Sequence, residues 1–172
     1  MQVHPTPVRR KALLPLALGL SLSLSSFASA PARADDDAGV PYWVSLRKQP
    51  ANLRVGPGRE YRISWVYVRQ GLPMKVLRVM GGWRLVEDPG GARGWMLAQF
   101  LTRQRTGMVK GKPGAEPAAI RENKDGSGKL LWRAAPGVVA KLDDCDNGWC
   151  KADIDGRKGY VEADKVWGAG TP

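Results

Sequence analysis

Asn52-Leu53-Arg54-Val55-Gly56-Pro57-Gly58 decides how this chain folds. Leu53 and Val55 alternate with polar neighbours, the period-two pattern of a half-buried strand. Gly-Pro-Gly then stops it, because Pro57 has no N–H and a fixed φ, and the flanking glycines are expected to open positive φ. Outward from this turn the chain reads as more short apolar runs, each closed by Gly or Pro. They include Trp65-Val66-Tyr67-Val68, Val76-Leu77, Gly82-Trp83 and Gly94-Trp95. Outside the N-terminal segment no ten-residue stretch has helical period. Single helical turns are expected at Leu97–Leu101 and Glu162–Val166. The pattern predicts short strands joined by turns, closed into a small barrel or sandwich.

The order of elements then returns. Gly71, Gly82 and Trp83 recur as Gly137, Gly148 and Trp149 at an offset of 66. Gly94-Trp95 recurs as Gly159-Tyr160 at 65, and Leu53-Arg54 as Ile120-Arg121 at 67. A drift of one residue is what a changed turn length produces between two copies of one fold. Two homologous all-β modules of five to six strands are therefore expected. Their cores are expected to hold Leu53, Val55, Val76 and Val86 in the first, and Ile120, Leu142, Ala152 and Val161 in the second.

These residues carry a resemblance. Trp43-Val44-Ser45-Leu46, the 53–58 turn, Trp65-Val66-Tyr67, Gly71-Leu72-Pro73, Gly82-Trp83 and Gly94-Trp95 resemble the bacterial SH3-like (SH3b) family. More narrowly they resemble the exported tandem form of proteobacteria. Cys145-Asp-Asn-Gly-Trp-Cys150 with Gly159-Tyr160-Val161 resembles the second copy of that form. The resemblance covers about residues 42–168 and implies two tandem SH3-like barrels associated with cell-wall binding.

Residues 1–34 read as a signal peptide, with Arg9-Arg10-Lys11 as its basic start and Ala12 to Ala28 as its apolar stretch. That stretch is shorter than the roughly 20 residues of a membrane span. Ala32-Arg33-Ala34 before Asp35 fits the small-residue cleavage rule, with retention as an uncleaved anchor the alternative. No transmembrane anchor is expected in the mature form, which is placed in the periplasm or outside the cell. Residues 35–41 read as a disordered leader, 42–106 as module 1, 107–168 as module 2 and 169–172 as a tail.

Without Arg9, Arg10, Lys11 and Arg33 the chain keeps 23 basic against 16 acidic residues, net +7. Residues 42–108 hold 12 basic and 3 acidic side chains, whereas 109–172 hold 11 and 10. The first module thus carries the positive field. This suits an anionic envelope polymer, or serves solubility alone. Export disfavours nucleic acid as a partner.

The only histidine, His4, lies in the signal segment, so the mature chain has no imidazole for nucleophilic catalysis or zinc ligation. The carboxylates at 143–146 and 153–155 do not follow the spacing of a calcium loop, and Asp155-Gly156 reads as a hairpin turn. No enzyme activity, metal or cofactor is expected. Asp146-Asn147-Gly148-Trp149 reads as a two-residue hairpin with Asn-Gly at its centre. That register sets Cys145 opposite Cys150, within disulfide reach in an oxidising compartment. A thiol redox site is the alternative, though the spacing is not Cys-x-x-Cys.

The expected function is non-catalytic binding in the cell envelope, with peptidoglycan or another envelope polymer as ligand. The alternative is an adaptor that binds an extended segment of an envelope protein. The candidate ligand-binding residues are Tyr61, Trp65, Trp83, Arg84, Trp95, Trp149 and Tyr160. Trp83 and Trp149 lie on the opposite parity to Val86 and Ala152, hence on the outside of their strands. The other possibility is that these two rings only cover an open barrel end.

Intact mass of the exported protein is expected to match cleavage after Ala34 and to show no free thiols on alkylation without reduction. A mass that retains the segment, or two alkylated cysteines, would overturn each point separately.

Overall fold

The computed structural model describes residues 39–172. The expected signal peptide, the cleavage site and residues 35–38 of the leader lie outside the described residues. The first sheet is built from β1 (Tyr42–Leu46), β2 (Ala51–Arg54), β3 (Ile63–Tyr67), β4 (Pro73–Met80), β5 (Trp83–Glu87), β6 (Arg93–Leu97) and β7 (Leu101–Thr102). The second comprises β8 (Thr106–Val109), β9 (Ala118–Arg121), β10 (Leu130–Ala134), β11 (Val139–Asp146), β12 (Trp149–Ile154), β13 (Arg157–Glu162) and β14 (Val166–Trp167).

The strands run β3-β2-β6-β5-β4-β1-β7 across one sheet and β10-β9-β13-β12-β11-β8-β14 across the other. These are one order, read twice. Each sheet has seven antiparallel strands, more than the five to six expected. The additions are the two-residue strands β7 and β14. A 3-10 turn, Ala98–Phe100 or Ala163–Lys165, swings the chain back to pair beside β1 or β8.

Leu53, Val76 and Val86 are buried in the first core, and Ile120, Leu142, Ala152 and Val161 in the second. Val55 is not: it is 52% exposed. The β2–β3 register shifts between Leu53 and Arg54 and the strand ends there, so strict alternation stops one residue too early for Val55. Gly56 takes the covered position under the ring of Tyr61, which a Cβ on that residue would overlap. Neither Gly56 nor Gly58 adopts positive φ, contrary to the expectation for this turn. Close approach, not backbone handedness, calls for glycine at 56.

A second pair of glycines lets each sheet fold onto itself. A Cβ on Gly94 would lie 2.8 Å from the Arg54 carbonyl oxygen and 2.6 Å from the Leu53 side chain. On Gly159 it would lie 3.1 Å from the Arg121 carbonyl oxygen and would overlap Ile120. β6 meets β2, and β13 meets β9, only because these positions lack a side chain.

The hairpins follow the turn chemistry. Asn147 and Gly148 both have positive φ, as do Asp155 and Gly156, the pattern that matches strand twist in a two-residue loop. Cys145 pairs with Cys150 directly beyond the Asp146–Trp149 pair, and the two form a disulfide with Cα atoms 4.0 Å apart.

Gly94→Ala is expected to cost about 1–3 kcal/mol, the usual toll of overpacking, and to lower Tm by several degrees in a thermal melt. Gly82→Ala, where a Cβ meets nothing within 4 Å, serves as the control. Equal melting temperatures for the two variants would contradict this account.

Candidate functional site

Directly opposed residues of neighbouring strands share a face, so the register defines what lies outside each sheet. Val86 pairs with Gly94 on the core side. Trp83 therefore pairs with Leu97, and Leu85 with Trp95, on the outer side. The row continues through Arg54, which opposes Trp95 on one side and Ile63 on the other. In the second module the same row reads Trp149 with Glu162, Lys151 with Tyr160, then Arg121 and Leu130. Five of the seven candidates, Tyr61, Trp83, Trp95, Trp149 and Tyr160, belong to these rows or to the loops that lean on them.

Trp83 is half-buried and edges a cavity of about 260 Å³ with Asn52, Arg54, Arg59, Leu97 and Phe100. Trp149 is half-buried too, its ring set against Gly126 so closely that a side chain there would collide with it. Trp149 thus leans on the loop between the second and third strands of its module, and Trp83 shares its cavity with Arg59 of the corresponding loop. Arg54 holds that loop in module 1, its guanidinium donating to the carbonyls of Arg59 at 2.9 Å and Tyr61 at 2.6 Å. Tyr61 is exposed above Gly56. Trp95 is buried yet stands apart from the core cluster, consistent with its outer parity.

Two candidates lie elsewhere. Arg84 shares the inner parity of Met96, at the place where module 2 has Cys150, and its Nε donates to the Tyr42 hydroxyl at 3.1 Å. It faces a separate pocket with Tyr42 and Arg103, whose guanidinium sits 3.5 Å over the Tyr42 ring. Trp65 opposes Leu53 but lies on β3, the outermost strand, where it is 59% exposed and 6.5 Å from Tyr67. Burial pushes the Tyr67 phenol above its ordinary range, and the Asp88 carboxylate it donates to at 2.9 Å adds to the shift. Tyr67 is therefore a neutral donor at neutral pH.

β3 carries a feature that single-residue reading missed. Val55, Tyr61, Ile63, Trp65, Val66 and Val68, all exposed, fall in one stretch, and the outer side of β3 has no strand beside it among the described residues. Exposure on both faces of a terminal strand is invisible to period-two pattern reading, which assumes one face is buried.

The modules also grip one another. Trp43 meets Trp167 edge to face at 4.8 Å, and its Nε1 donates to the Gly170 carbonyl at 3.0 Å. Thr106 Oγ1 donates to the Gly71 carbonyl and Arg69 to the Gly137 carbonyl, each at 2.8 Å. Arg105 donates to the carbonyls of Gly168 and Gly170, and burial lowers its guanidinium from its ordinary value.

Among the described residues no group of three or more His, Cys, Asp or Glu is placed to hold a metal ion, and no helix is long and apolar enough to cross a membrane. Trp83→Ala and Trp149→Ala are expected to lower stability by less than the about 3–5 kcal/mol typical of a core Trp, measured by denaturant unfolding. A full core-sized loss would make these rings packing elements alone.

A family model described as bacterial SH3 domain matches the chain twice, over residues 47–101 and 114–168. No curated protein matched. Among solved structures, NlpC2 from Trichomonas vaginalis aligns at 12% identity over 73% of this chain and 47% of its own, with a TM-score of 0.32. NlpC1 from the same organism aligns at 14% identity over 73% and 45%, also with a TM-score of 0.32. The chain spans less than half the length of either.

Proposed function

The chain belongs to the bacterial SH3 domain family, and from that membership we propose that it is an exported, non-catalytic binding protein of the cell envelope that recognises wall glycopeptide. One observation carries the reading: the outer row repeats in both modules with a half-buried Trp at the same position, Trp83 and Trp149, one strand removed from β2 or β9, which carries Arg54 or Arg121. A flat indole presents an apolar face to a sugar ring or a peptide, and a contiguous exposed apolar surface marks a contact site. In the first module the surplus of basic residues attracts carboxylates and phosphates of the envelope. The second row is more polar, with Glu162 and Lys151 where the first has Leu97 and Leu85. Module 1 is thus the stronger site.

The exposed apolar β3 supports a second reading, an envelope adaptor. A terminal strand offers its free backbone groups to an extended segment of a partner, and alternate side chains then select it. Ile63, Trp65, Val66 and Val68 would supply that selection.

Cosedimentation with sacculi tests both. Under the wall reading the protein pellets with sacculi whether or not they have been stripped of protein, and Trp83→Ala weakens retention about tenfold or more, as for a central aromatic contact. Retention only on unstripped sacculi would reject the wall in favour of a protein partner. Absence from both pellets would reject wall binding in any form.

A further inference from the structure

A concavity between the two modules encloses about 950 Å³. That volume is at the upper end of those that take small ligands. Its floor is apolar, with the buried residues Leu46, Ala134 and Ile154 and the half-buried Trp132. Its rim is cationic: Arg47, Arg69, Arg133, Lys141 and Arg157 face it, against the carboxylates of Asp153 and Asp155. Asp153 is already engaged, accepting the Gly156 N–H at 2.8 Å within its hairpin. Arg69 and Arg47 are positioned by carbonyls, Arg69 by Gly137 across the modules and Arg47 by Gln99. Arg157 sits 5.1 Å over the Trp132 ring. Arg133 and Lys141 are exposed, and their side chains make no hydrogen bond or ion pair among the described residues.

One wall of this cleft is β10, whose residues Trp132, Arg133 and Ala134 line it. β10 ends the second sheet, so its outer edge has no strand partner among the described residues. An apolar floor, a positive rim and a free strand edge in one cleft select a particular chemistry. The edge accepts an extended backbone, the floor takes small apolar side chains, and the cations take carboxylates.

We infer that the cleft between the modules binds an extended peptide that bears carboxylates, laid along β10. For its natural ligand, the peptide part of the wall polymer, the inference rests on the wall-binding reading; the cleft itself is defined by its own residues. It gives the tandem arrangement a role that neither module has alone, because Arg47 and Arg69 come from the first and Arg133, Lys141 and Arg157 from the second.

The test is an amide chemical-shift titration of the whole exported chain with two probes. One is the disaccharide tetrapeptide released from sacculi by a muramidase, and the other a six-residue polyglutamate peptide. Both are expected to shift the amides of residues 132–134 together with those of Arg47 and Arg69, and the Trp132 indole N–H. The double variant Arg133→Gln/Lys141→Gln, which removes two exposed charges and no contact, is expected to weaken both probes about tenfold, as loss of two partly exposed ion pairs implies. Cleft amides that stay unmoved by both probes, or wild-type affinity in the double variant, would overturn the inference. Glycopeptide shifts confined to Trp83, Trp149 and their neighbours would also overturn it, while leaving wall binding intact. Polyglutamate shifts in the cleft without any glycopeptide binding would sustain the cleft and reject the wall as its ligand.

Discussion

In each module one strand approaches another's backbone closely at a glycine, Gly94 in the first and Gly159 in the second. A strand that must lie within van der Waals distance of another strand's carbonyl leaves no room for a Cβ. Everything outside the sheet follows from that approach. It brings Arg54 opposite Trp95 and Arg121 opposite Tyr160, which sets the outer rows in register. Because Arg54 is held there, its guanidinium reaches back to two carbonyls of the 55–62 loop and fixes that loop at the rim of the cavity that Trp83 lines. The candidate surface is thus a by-product of how the sheet closes.

Much of this was legible in the sequence, and the reasons are local. Gly-Trp and Gly-Tyr at a fixed offset mark the same place in both copies, and Asn-Gly and Asp-Gly name their own hairpins. The parity of Val86 and Ala152 placed Trp83 and Trp149 outside, where they are found. Val55 escaped because a register shift ends the alternation it seemed to continue. Arg84 lies apart from Trp83 because neighbours on a strand point to opposite faces. The cleft was illegible for a different reason: its walls are joined by Arg69 meeting Gly137 and Thr106 meeting Gly71, contacts between residues far apart in the chain. No local pattern encodes such a meeting.

The two copies share a frame but not a chemistry. Val79 and Arg84 pair where Cys145 and Cys150 are joined, so the end of the β4–β5 hairpin is open and cationic while that of β11–β12 is sealed. Asp88 performs in module 1 the turn-closing task that Asp155-Gly156 performs in module 2, accepting the N–H groups of Gly90 and Ala92. One copy has diverged toward surface charge and the other toward self-containment, with the core positions kept.

The strand order has a kinetic consequence. β1 is bracketed by β4 and β7, so the first strand of a module waits for the last before its pairing is complete. Contacts of such long sequence separation make folding slow, since the loop must close before the contact repays it. Only Arg103, Gln104 and Arg105 separate β7 from β8, so the strand that seals the first sheet is followed almost at once by the strand that begins the second. Synthesis from the N-terminus therefore delivers one complete module before the next can start, and Thr106, bonded to Gly71, begins the second on a surface already formed. Similar neighbouring domains are prone to exchange strands while both are unfolded. Here the chain order itself separates them in time.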